Sequence, residues 1–125
     1  IQQKLRSTFF NSAQAKFQSN DFAGAEKYLS RSIKYGNNNA LTHYQMGLAF
    51  EGQQKWEKAV VSFNKSVELD MGTDAEKAKV FFKLGGAYEA LGNGTKACEN
   101  YKLSLHGEFA EAAKYKIENV LKCNG

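Results

Sequence analysis

The chain has 125 residues, 42% of them hydrophobic and 13% aromatic, with seventeen Lys and Arg against thirteen Asp and Glu for a formal net charge of +4. Those figures describe one folded domain of ordinary size and exclude a disordered chain, and no apolar run approaches the ~20 residues that membrane insertion would need. The basic residues are scattered rather than gathered into a stripe, which argues against nucleic acid as a partner.

The chain starts at Ile1 with neither Met nor a charged-then-apolar leader, so a processed piece of a longer protein is expected. It has no proline, and Val and Ile are sparse beside Ala, Lys, Glu, Gln and Leu, a balance that favours helix over sheet. Ile1, Leu5 and Phe9 fall four apart and open a helix predicted over 3–18. Their stripe packs on the next helix or stands open as an edge for upstream repeats or a partner. After the turn Ser19-Asn20-Asp21, Ala25, Leu29, Ser32 and Ile33 give one stripe of a helix over 22–36. Met46, Gly47 and Phe50 mark a third helix over 40–53, and a fourth follows the turn Gln53-Gln54-Lys55 over 56–69. Thr73 and Glu76 read as a capping box, so the fifth helix is predicted over 75–91, starting about a turn early near Asp74 or Ala75; a longer loop is the alternative. Leu84, Gly85 and Tyr88 carry its stripe, Gly92-Asn93-Gly94 forms the next turn, and a sixth helix covers 95–106. Gly107 reads as its stop. A last helix over 109–122 sets Phe109, Ala113, Ile117, Val120 and Leu121 on one side and Glu111, Lys114, Glu118 and Lys122 on the other. It would cover the hairpin before it.

These helices repeat. Ala25 and Ala59 are 34 residues apart, and Ala59 and Ala97 are 38 apart. The same offsets relate Ala13, Gly47 and Gly85; Phe10, Tyr44 and Phe82; Leu29, Phe63 and Tyr101; and Ser32, Ser66 and Ser104, each serine followed by an aliphatic. Each copy is a hairpin of a helix A and a helix B, with small residues where the two cross. The pattern Gly-x-x-Phe/Tyr in helix A and Ala-x-x-x-Phe/Tyr-x-x-Ser in helix B resembles the tetratricopeptide (TPR) repeat over roughly residues 6 to 107, most closely in the second copy (Gly47, Phe50, Trp56, Ala59, Phe63). The first copy departs at Lys16, where an aromatic is expected, and the third at Gly94. The resemblance implies an all-α fold: three TPR-like helix hairpins in a right-handed α-solenoid plus a C-terminal capping helix. One domain, 1–125, would hold repeats at about 6–39, 40–73 and 78–107 and the capping helix at about 109–122.

No catalytic constellation is present, so neither an enzyme nor a cofactor is expected. His43 and His106 lie in unlike columns with no Cys, Asp or Glu at a zinc-site interval, and a packed histidine is the reading for His43. Cys98 and Cys123 come to the same end of their hairpin if their helices are antiparallel. A disulfide is conceivable, but Cys123 overshoots by about a turn, so two unrelated thiols is the default.

The resemblance also implies where function sits: on the concave groove lined by the A helices. The first copy would give it Phe10, Gln14, Phe17 and Gln18, the second Leu41, Tyr44, Leu48 and Glu51, and the third Lys79, Phe82, Gly86 and Glu89 with Lys83 beside them. Packing alone also accounts for the Phe10, Tyr44, Phe82 column. Some members of the family clamp the carboxylates of an acidic C-terminal peptide with basic and Asn side chains. Lys79 and Lys83 match the third helix's basic pair and Gln45 stands in the second helix's Asn place. In the first helix Phe10 replaces a Lys and Gln14 an Asn. A protein- or peptide-binding scaffold is the function expected; the alternative is a structural or self-associating repeat subunit of a larger assembly.

Overall fold

The computed structural model describes residues 1–123 of the chain. Every regular element in it is helical, and the chain divides into two compact units, Ile1–Leu69 and Asp70–Gly125.

The first unit holds two hairpins: α1 (Gln2–Gln18) with α2 (Phe22–Lys34), and α3 (Ala40–Gly52) with α4 (Trp56–Leu69). Ser32 at the end of α2 donates its hydroxyl to the Arg6 carbonyl at the start of α1, and Ser66 in α4 does the same to Ala40 in α3, both at 2.7 Å. Each pair of helices is therefore antiparallel, and the recurring serine ties the open end of its hairpin. The crossings are tight because the side chains there are minimal. Ala13, Ala25 and Ala59 are fully buried, and a Cβ on Gly47 would run into the Phe63 ring. Leu29 and Phe63, fully buried on the B helices, fill the space beside them.

The turns inside the hairpins share one backbone solution. Asn20 and Gln54 both take φ +58°, and in the second unit Gly92 takes φ +78° at the matching place. The next residue's N–H then reaches back five residues: Asp21 to the Phe17-preceding carbonyl of Lys16 at 2.8 Å, Lys55 to Phe50 at 2.9 Å, Asn93 to Tyr88 at 2.9 Å. This left-handed closure satisfies carbonyls that a helix end leaves without partners. Asp21 and Asn93 then cap the following helix, accepting from Gly24 N–H at 2.9 Å and Lys96 N–H at 3.1 Å. Between the two hairpins of this unit, Gly52 leaves room for the Phe22 ring, while Glu26 takes the Gln53 amide at 2.9 Å and the Lys55 ammonium at 3.6 Å. The N-terminal apolar stripe packs: Phe9 stacks on Tyr28 and Tyr35 at 6.3 and 5.7 Å, with the Arg31 guanidinium 5.8 Å over its ring. Ile1 at its head stays exposed.

The second unit holds α5 (Ala78–Ala90), α6 (Gly94–Leu103) and α7 (Ala110–Tyr115), the last entered through a 3₁₀ turn at Gly107–Phe109 and continued by a π-helical turn at Lys116–Val120. Three boundaries depart from the sequence reading. The Thr73 hydroxyl caps the Glu76 N–H at 3.3 Å, but residues 74–77 close as a hydrogen-bonded turn and the regular helix begins only at Ala78. Gly107 does not stop α6, which ends at Leu103; with φ +55° it opens the turn into α7 instead. The π-helical turn slips the register by one residue, with Leu121 N–H on the Lys116 carbonyl at 2.8 Å. Ala113, Ile117 and Leu121 consequently pack on the Ala97–Tyr101 cluster as the stripe requires, whereas Val120 is left 44% exposed. The same slip brings Cys123 back over α6. It forms a disulfide with Cys98, Cα to Cα 5.9 Å, so the reading of two unrelated thiols is wrong.

Candidate functional site

The A-helix face of the first unit is formed by α1 and α3. Phe10, Gln14 and Phe17 follow one another on α1, and Tyr44, Gln45 and Leu48 on α3; all six are half-buried. Phe10 and Phe17 lean on the Ala13–Ala25–Leu29 core, Phe17 meets Phe22 edge-on at 6.1 Å, and Tyr44 tilts against Phe63 at 5.8 Å. Each aromatic thus rests one edge on its own hairpin. The structure brings Gln14 and Gln45 together: the Gln14 amide donates to the Gln45 side-chain oxygen, joining α1 to α3, and also reaches the Phe10 carbonyl at 3.4 Å. Of the remaining residues assigned to this face, Gln18 and Leu41 are exposed and Glu51 half-buried. Glu51 is the single formal charge among them. It adds to the burial that raises the Tyr44 pKa above its usual value.

In the second unit, Lys79 and Lys83 stand one helical turn apart on α5, Lys79 exposed and Lys83 half-buried. Phe82 packs edge-on against Tyr101 at 5.4 Å and is met on another side by Phe109 at 5.6 Å, so this column residue serves the hairpin and the C-terminal segment together. Glu89 is committed as well. It accepts the Tyr101 hydroxyl at 2.8 Å and holds Lys116 of the C-terminal segment at 3.1 Å. Burial, with the Glu89 carboxylate adding to it, drives the Tyr101 phenol well above its ordinary pKa, in keeping with its hydroxyl donating to Glu89. Gly86 lies beside this group, with room for a methyl 3.7 Å from the Tyr101 oxygen.

The sequence reading missed the Glu89–Tyr101–Lys116 group because its members come from three helices, and only the column of Tyr101 hinted at a partner on α5. His43 is half-buried and bonds Asn38 at 2.6 Å; burial, then the nearby Lys65 charge, lowers its pKa. Among the described residues no cluster of three His, Cys, Asp or Glu could hold a metal ion, and no helix is long and apolar enough to cross a membrane.

No protein-family model matches the sequence, and no curated protein matches it. Solved structures do. The TPR domain of Arabidopsis OM64 superposes with a TM-score of 0.83 at 16% identity, over 96% of this chain and 99% of that one. The second TPR domain of human RPAP3, solved in complex with the HSP70 peptide SGPTIEEVD, gives 0.81 at 20% identity, over 95% of this chain and 99% of that one. The TPR2AB domain of yeast Sti1, in complex with pHSP90, gives 0.79 at 17% identity, over 95% of this chain and 48% of that one. At such identities the likeness is one of backbone architecture, and it agrees with the repeated hairpins, the small-residue crossings and the closing C-terminal helix: the chain has the tetratricopeptide-repeat fold.

Proposed function

We propose that the chain is a non-enzymatic module that binds a protein or peptide along its A-helix faces, through Phe10, Gln14, Phe17, Tyr44, Gln45 and Leu48 in the first unit and Lys79, Phe82 and Lys83 in the second. One observation carries this reading. In each hairpin the B-helix member of the crossing, Leu29, Phe63 or Tyr101, is buried to 1% exposure or less, while the A-helix aromatic it supports stays half-buried. Aromatic surface fixed on one edge and open on another is the kind of anchor that peptide grooves use. The RPAP3 domain's complex with an HSP70 peptide supports a peptide as ligand, and the Sti1 domain's complex with pHSP90 supports a partner of the same broad kind. Lys79 and Lys83, a turn apart, suit an acidic one.

The test is titration calorimetry with SGPTIEEVD, the peptide of the human complex. Binding in the micromolar range, about −8 kcal/mol or weaker, is expected. Lys79→Ala with Lys83→Ala should cost roughly 1.5–3 kcal/mol, the worth of a hydrogen bond to a charged group, and added salt should weaken the parent's binding. An unchanged affinity in the double variant removes the lysines from the seat. No binding at all, together with a concentration-dependent dimer in sedimentation, favours the self-associating scaffold instead.

A further inference from the structure

Besides the apolar packing of Ala113, Ile117 and Leu121 on the Ala97–Tyr101 cluster, the C-terminal helix is fixed to the α5–α6 hairpin at three places. Phe109 at its start meets Phe82, Lys116 in its middle holds Glu89 at 3.1 Å, and at its end the disulfide joins Cys123 to Cys98. Two of these places, Phe82 and Glu89, are on α5. The helix is weak by itself: six α-helical residues and a five-residue π-helical turn, far below the length at which an isolated helix holds in water. Its first end is tied by the chain that leads out of α6, its far end by the covalent bond. Both cysteines are only half-buried, and they line an open pocket with Thr95, Glu99, Lys102 and Lys122.

We propose that the Cys98–Cys123 bond is a redox clasp, which a thiol reductant opens to free residues 116–123 and take Lys116 away from Glu89. The chemistry is ordinary exchange. A thiolate of the reductant attacks one sulfur, the other leaves as a thiolate, and a second thiol displaces the mixed disulfide; the protein gains two electrons and two protons and the reductant becomes a disulfide. In a compartment held reducing by thiols the clasp is open, and in an oxidising one it is closed. Opening leaves the Glu89 carboxylate with the Tyr101 hydroxyl and without the Lys116 charge, so the α5 face becomes more negative. The effect on ligand binding rests on the A-face reading above.

Amide hydrogen exchange on the full chain, oxidised, in dithiothreitol, and as the Cys98→Ser, Cys123→Ser variant, tests the clasp. With the cysteines 25 positions apart, exchange across 116–121 should quicken about a hundredfold in the last two samples, while α1–α4 keep their protection. Equal protection in all three samples overturns the clasp, and so does a loss spread evenly over α1–α4, which would make the bond a staple of the whole fold. Calorimetry with SGPTIEEVD on the same samples tests the consequence: a two- to fivefold weakening on reduction, about the worth of an exposed charge pair, supports it. Faster exchange at 116–121 with identical peptide affinity overturns the coupling to the face and leaves the clasp standing. A peptide that binds none of the samples refutes the acidic-ligand reading alone.

Discussion

Gly85 and Gly86 are neighbours in α5, and the fold requires opposite things of them. A methyl group on Gly85 would lie 2.7 Å from the Tyr101 ring, far inside van der Waals contact. The ring cannot retreat: Tyr101 is 1% exposed, its hydroxyl is fixed by Glu89 at 2.8 Å and its edge by Phe82. Overpacking of that kind costs about 1–3 kcal/mol. A methyl on Gly86 would meet the Tyr101 oxygen at 3.7 Å, an ordinary contact. Both substitutions also gain helix propensity, about 1 kcal/mol for Gly to Ala in a helix interior. Gly86→Ala should therefore stabilise by about that amount, while Gly85→Ala ends near neutral to about 2 kcal/mol destabilised. The difference between the two cancels the propensity and reads the clash directly, at about 1–3 kcal/mol. With an unfolding entropy near 2.1 cal/mol/K per residue, a chain of 125 residues shifts about 4 °C per kcal/mol, so thermal melts should split by about 4–12 °C. Equal melting temperatures, or Gly86→Ala melting below Gly85→Ala, would refute the claim that the small-residue column is a place of contact rather than of flexibility.

Two further predictions concern the hairpin turns. Gln54 sits at φ +58°, a conformation that costs a side-chain-bearing residue about 1–2 kcal/mol and glycine much less. Gln54→Gly should thus raise stability by about 0.5–1 kcal/mol in denaturant titration, with a smaller gain for Asn20→Gly at the same φ because Asn tolerates it; a loss at Gln54 would mean that its side chain makes a contact worth more than the strain. Asp21 is held below its ordinary pKa of 3.8 chiefly by the Gly24 N–H, helped by Lys16 and opposed by burial. A carboxyl with a lowered folded-state pKa contributes stability that is complete above its unfolded value and is lost as pH falls through the folded one. The advantage of the parent over Asp21→Asn, which keeps the capping acceptor without the charge, should accordingly be present in melts at pH 7 and decline once pH falls below 3.8; an advantage undiminished in strong acid would assign it to geometry and not to charge.

How far the fold could be read from the sequence follows from what kind of contact each residue makes. Close helix crossings admit only small side chains, so Ala25, Ala59 and Ala97, all fully buried, had to repeat at the interval of the hairpin, and that interval is visible without coordinates. The serine column was legible as a position but not as a bond: small size explained Ser32 and Ser66 adequately until their hydroxyls were found on Arg6 and Ala40. The C-terminal segment was harder. Its apolar stripe fits a regular helix, and a regular helix carries Cys123 past Cys98. The π-helical turn that corrects this spends one extra residue between Lys116 and Leu121, and nothing in Lys-Ile-Glu-Asn-Val signals it. It forms where the tertiary reward lies, in the seating of Leu121 on the Ala97–Tyr101 cluster and the bond to Cys98.

The A-helix faces show why the site was less legible than the fold. Helical spacing decides which side of a helix a residue occupies, and the resemblance to the repeat family assigned Phe10, Tyr44, Phe82 and Glu89 to the A-helix side. It does not decide what else reaches that side. Phe82 and Glu89 share the α5 surface with Lys79 and Lys83 by position, yet both are engaged by the segment that follows α6, Phe82 through Phe109 and Glu89 through Lys116. Gln14 and Gln45, each compatible with a ligand-facing amide, are joined to one another in the same way. On the proposed reading, a ligand at the first unit's face would exchange that amide hydrogen bond for its own at near-zero net energy, so its affinity there would come from the half-exposed edges of Phe10, Phe17, Tyr44 and Leu48. Charge has to act elsewhere. On the proposed reading, an acidic ligand at Lys79 and Lys83 would meet an α5 face whose Glu89 carboxylate is offset by Lys116, so the C-terminal helix would bear on recognition without touching what is bound.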